Sequence, residues 1–60
     1  MTDPTPPAEA VEIATQAYSE CEAPWSQFPR WMRVNRAIMM RTALTALLRA
    51  GWKLEPPGHA

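Results

Sequence analysis

The sequence holds one cysteine, one histidine and two glycines in 60 residues. A lone Cys21 excludes an intramolecular disulfide, and with only His59 beside it there is no ligand set for a structural zinc site. No apolar run reaches the ~18 residues that a membrane span needs, and no basic stretch leads into an apolar one as in a secretory signal. The expected compartment is therefore the cytoplasm. Tyr18, Glu20 and Cys21 lie close in the sequence, but no base is placed to activate the thiol, and Cys21 reads as a small hydrophobe. No catalytic residue, metal or cofactor is expected.

Charge of one sign is missing from each half. No basic residue precedes Arg30, and no acidic residue other than Glu55 follows Glu22, although the formal net charge is zero. Opposed charges of this kind suit two segments that fold against each other, with each exposed pair worth ~0–1 kcal/mol. They also leave Arg30, Arg33, Arg36 and Arg41 as candidate contacts to phosphate or to an acidic partner.

What the sequence does have is helical periodicity bounded by proline. Residues 1–7 carry three of the seven prolines and no apolar repeat, which predicts a disordered, Pro-rich N-terminal arm. A first helix is expected over about 8–21, with Thr5 as a possible N-cap. Ala10, Val11, Ala14, Ala17, Tyr18 and Cys21 share its apolar face, with Ile13 at the margin. Glu9, Glu12, Gln16, Ser19 and Glu20 share the polar one. Small residues on the apolar face allow a second helix to approach closely.

Pro24 and Pro29 separate this helix from a second, expected over about 29–50. Either Pro29 opens it or Ser26 caps an earlier irregular turn. Trp25 and Phe28 in so short a connection are expected to plug the open end of the hairpin, forming with Trp31 and Trp52 the chain's aromatic cluster. Ala50-Gly51-Trp52 suits a helix end in which Gly51 takes the left-handed conformation and Trp52 folds back on Leu47. A tail follows over 53–60. The fold class is thus all-α: a two-helix antiparallel hairpin over 8–52 flanked by an arm and a tail.

On a helical projection the apolar residues of the second helix fill an arc of about 200°, roughly twice the stripe that a single partner helix covers. Only Arg33 and Arg36 interrupt it, and their long side chains are expected to bend out toward water. One small-faced helix cannot cover so wide an arc, and a chain of this length buries only about 60% of its unfolded surface. Oligomerisation or a partner is therefore expected to complete the core. Met32, Met39, Met40, Ala43, Leu44, Ala46 and Leu47 are the candidate interface.

The run Trp25-Ser-Gln-Phe-Pro29, the spaced Arg33, Arg36 and Arg41, then Ala43, Ala46, Leu47 and Ala50-Gly51-Trp52 resembles a group of very short uncharacterised helical proteins of actinobacterial bacteriophages. The resemblance covers Trp25 to Trp52 and carries no activity with it. It implies a bacterial cytoplasm during infection and a binder of a host or phage protein. The expected function is a protein–protein interaction or assembly module acting on itself or on such a partner. A nucleic-acid-binding accessory protein using Arg30 to Arg41 is the alternative, and a membrane-surface amphipathic peptide the second alternative. Zero net charge and an acidic first helix disfavour nucleic acid. A polar side with only Arg41 and Arg49 disfavours the membrane.

Overall fold

In the computed structural model, which describes residues 4–57, the chain is an all-α hairpin. Helix α1 spans Ala8–Ser19, α2 spans Arg30–Arg49, and a single 3-10 turn, Trp25–Gln27, lies between them. The helices run antiparallel: Ala8 and Val11, at the start of α1, share a cleft with Ala37 and Arg41, whereas Glu22, beyond its end, reaches back to Arg36.

Proline sets the boundaries, though not through side-chain caps. Pro7, rather than Thr5, is the N-cap of α1, and its carbonyl accepts the Val11 amide at 3.1 Å. Pro29 caps α2 in the same way, with its carbonyl accepting the amides of Met32 and Arg33. In neither case is the cap's missing N–H a loss, because a helix N-terminus has no partner for that donor. Pro24, not Ser26, precedes the 3-10 turn. Helix α1 stops at Ser19, short of Cys21, because the chain tightens first: the Glu22 and Ala23 amides both donate to the Ser19 carbonyl.

The C-terminus of α2 closes as its residues predict. Gly51 has φ of +104°, its amide donates to the Leu48 carbonyl, and the Trp52 amide donates to the Leu47 carbonyl, each at 3.1 Å. These two bonds satisfy carbonyls that the helix end would otherwise orphan. The Trp52 side chain does not complete the motif, since it stays 68% exposed rather than folding back.

On the α1 side the seam between the helices is made of short side chains. Val11, Thr15 and Ser19, spaced by four, are the buried residues of α1. This line is turned from the expected apolar face. Ala10 and Ala14 are only half-buried, and Ala17, Tyr18 and Cys21 are exposed. Thr15 can be buried because its hydroxyl donates to the Val11 carbonyl at 2.6 Å, so no polar group is stranded. Ser19 is fully buried, and its Oγ has no partner. On the α2 side Arg33, Arg36, Ala37, Met40, Leu44 and Leu48 are half-buried.

At 12 residues, ~18 Å, α1 is much shorter than α2 at 20 residues, ~30 Å. The segments flanking the hairpin compensate in part: within the arm, described only from Pro4, Pro6 is buried, and in the tail Leu54 is half-buried. Residues 1–3 of the arm and 58–60 of the tail lie outside the described residues.

Two substitutions test this account of the seam and the helix end. Ser19→Ala removes a buried hydroxyl without a partner, so urea unfolding should show a gain of about 1 kcal/mol; a loss would mean that the hydroxyl is bonded. At Gly51 a Cβ meets nothing within 4 Å, so the whole cost of Gly51→Ala comes from the positive φ, about 1–2 kcal/mol.

Candidate functional site

The connection from Glu20 to Pro29 brings aromatic rings to the first turns of α2, and two arginines answer them. The 3-10 turn seats Trp25 and Phe28 with ring centroids 5.9 Å apart and planes tilted by 34°. Phe28 is 7% exposed and plugs the hairpin's open end. Trp31 and Trp52, expected in the same cluster, lie outside it, each 68% exposed. The helix explains the difference: Trp31 sits on the side of α2 turned from α1, and the Leu47–Trp52 bond fixes the Trp52 backbone but leaves its ring free.

Arg33 and Arg36 do not bend out to water. The Arg33 guanidinium lies 5.2 Å from the Trp25 ring centroid, and its Nη2 donates to the Trp25 carbonyl at 3.1 Å. The Arg36 guanidinium lies 4.9 Å from the Phe28 ring and 5.5 Å from the Tyr18 ring, and it pairs with the Glu22 carboxylate. Its side chain keeps 13% of its exposure. The physical reason is that a guanidinium is weakly hydrated, planar and able to lie on aromatic faces while its edge makes hydrogen bonds. The connection supplies such faces, together with an acceptor for each arginine. Of the four arginines expected as phosphate or acidic-partner contacts, these two are therefore committed inside the hairpin, and Arg30 and Arg41 remain exposed.

This corner also fixes which way the apolar faces point. Arg36 and Tyr18 meet on one side of the two-helix layer. Residues three or four apart share a helix flank, so Ala10, Ala14 and Ala17 lie on that side with Tyr18, and Met32, Met39, Ala43 and Ala46 lie there with Arg36. Met39, Ala43, Ala46 and Leu47 are exposed, whereas Met32, Met40 and Leu44 of the expected interface are half-buried. On this side Arg36 is paired with Glu22, and Ala17 borders a groove along α1 lined by Glu9, Glu12, Gln16 and Glu20. The opposite side holds a cleft of about 230 Å³ in which Ala8, Val11, Trp25 and Ala37 line the wall together with Glu12, Arg33 and Arg41. Trp31, Val34 and Ile38 form a separate exposed apolar row on the outer edge of α2.

Among the described residues no three of His, Cys, Asp and Glu gather where they might hold a metal ion, and no helix is long and apolar enough to cross a membrane. No family model, curated protein or solved structure matches the chain.

The Arg36–Glu22 pair gives stability a pH dependence of defined sign. The hydrogen bond from Arg36 holds the Glu22 carboxyl below its ordinary value of 4.5, against the opposing pull of partial desolvation, and the Glu22 hydrogen bond raises Arg36. A depressed carboxyl contributes stability that is complete above pH 4.5 and is lost as pH falls through the lowered value. Glu22→Gln should accordingly lower the melting temperature at neutral pH and flatten its fall on acidification. Arg36→Lys, which keeps the charge but not the flat stacking surface, should also lower it; a lysine variant as stable as the parent would mean that the rings contribute nothing.

Proposed function

We propose that this chain is a protein–protein interaction module that docks through the apolar side of its helix layer, where the α1 alanines and the exposed Met39, Ala43, Ala46 and Leu47 of α2 lie together. One observation carries the reading: Met39, Ala43, Ala46 and Leu47 are exposed on α2 beside a corner where Arg36 is already paired with Glu22. A monomeric surface with an apolar patch of this kind normally marks an interaction site, and methionine lends such a surface adaptability. The setting we propose is the bacterial cytoplasm, in line with the resemblance of Trp25–Trp52 to short phage proteins. The function is binding, not catalysis.

The nucleic-acid reading is less well supported than the sequence suggests, because Arg33 and Arg36 are engaged within the hairpin. A membrane-surface role would want a basic side opposite the apolar one, and the opposite side mixes Glu12 with Arg33 and Arg41.

The reading separates two neighbouring methionines. Met39 is exposed on the docking side, whereas Met40 turns toward the seam and is half-buried. Met40→Glu should cost the hairpin much of its helical circular dichroism, because an unpaired charge is then forced into the core. Met39→Glu should keep the helices at micromolar concentration and reduce binding of an apolar fluorescent dye. A parent chain that binds no dye at any concentration at which it is monomeric has no open apolar side, and that result would overturn the reading.

A further inference from the structure

We propose that the cleft between the start of α1 and the middle of α2 is a binding site for a small carboxylate with an apolar body, an aryl or alkyl monoacid. The cleft lies on the side of the helix layer opposite the docking side, so the two roles stand or fall separately. Two arginines one turn apart are treated unlike by the fold. Each lies on an aromatic ring of the connection, Arg36 on Phe28 and Arg33 on Trp25. Arg36 has a counter-ion in Glu22. Among the described residues Arg33 has none: its Nη2 donates to the Trp25 carbonyl, and its Nε, shut off from solvent, has no hydrogen-bond partner. A half-buried guanidinium whose charge no carboxylate answers is costly to the fold, and a buried donor left unbonded calls for a cause.

The cleft supplies room beside that charge. It encloses about 230 Å³, with Arg33 and Arg41 in its wall together with the apolar Val11, Trp25 and Ala37. That is less than the ~300 Å³ at which clefts for drug-sized ligands begin, so its occupant is the size of one large side chain. Arg33, Ala37 and Arg41 are spaced by four along one flank of α2. The alanine leaves a notch between two long side chains. Arg41 is exposed, and among the described residues its guanidinium has no partner. A guanidinium offers its donors in a planar fork that matches the two oxygens of a carboxylate.

One residue of α1 sets the charge of the ligand. Glu12 lines this cleft and also the outer groove of α1, which places it at the rim. Its carboxylate accepts from the Gln16 amide at 3.4 Å and pairs with neither arginine. Two arginines and one glutamate leave a single positive charge, which suits a monoanion. A dianion such as phosphate would be left with charge unanswered next to Glu12.

A proton–nitrogen NMR titration of the full chain with phenylpropionate, at fixed ionic strength, tests the site. The expected result is saturable movement of the Trp25 indole and Arg33 Nε–H signals with a Kd of about 1 mM. The indoles of Trp31 and Trp52, exposed elsewhere, should not move. No movement of the Trp25 and Arg33 signals, or equal movement of all three indoles, overturns the proposal. Phenylpropionamide has the same body without the charge, and inorganic phosphate has charge without the body; each should bind at least about tenfold more weakly, and a match by either also overturns it. Arg41→Gln should weaken binding about tenfold with unchanged helical circular dichroism, and undiminished affinity counts against the site. Glu12→Gln should tighten binding. If only that variant binds and the parent does not, Glu12 is itself the counter-ion and the proposal fails. An acetylated dipeptide ending in phenylalanine identifies the source of the acid: displacement of phenylpropionate by its free-acid form and not by its amide supports a peptide terminus, and displacement by neither supports a free small acid.

Discussion

One cation ties the end of α1, the connection and α2 together at a single corner. The Arg36 guanidinium rests on Tyr18 at the end of α1 and on Phe28 in the connection, and it is held in place by Glu22 between them. The end of α1 and two residues of the connection converge on one side chain of α2. The line of α1 that meets the seam is Val11, Thr15 and Ser19 rather than the alanines. The apolar side of the layer is a consequence of this corner as much as of the apolar residues themselves.

Much of the fold can be read from residues whose effects are local. Pro29 marks the start of α2 because its fixed φ suits a helix entry whatever surrounds it, whereas Pro7 and Pro24 hold the cap positions for which Thr5 and Ser26 are the residues expected from sequence. Gly51 marks the end of α2 because a positive φ costs it nothing. Trp25 and Phe28 could be assigned to the hairpin's end because large rings in a short loop have few other places to go.

The corner was not legible in the same way. Periodicity treats arginine as a surface residue and serine and threonine as solvent-facing, and all three assumptions fail where two helices approach closely. Thr15 meets its hydrogen-bonding need within its own helix, and Ser19 is small enough to be buried with that need unmet. Arg33 and Arg36 find aromatic faces and an acceptor that only the folded connection assembles. The usable signal was composition at short range: two arginines five and eight residues after Phe28, with Glu22 just before the aromatics.

The arrangement of this corner also bears on the order of events in time. Its cross-connecting contacts are short in sequence, spanning 8 residues from Arg33 to Trp25 and 14 from Arg36 to Glu22. Loops of about ten residues close in ~10–100 ns, and helices then elongate within microseconds. Local topology of this kind places the hairpin among the fastest folding architectures. Zipping would start where the aromatics meet the arginines and run outward toward Pro6 and Leu48, and any layer added to the apolar side would join afterwards at a rate set by encounter and concentration.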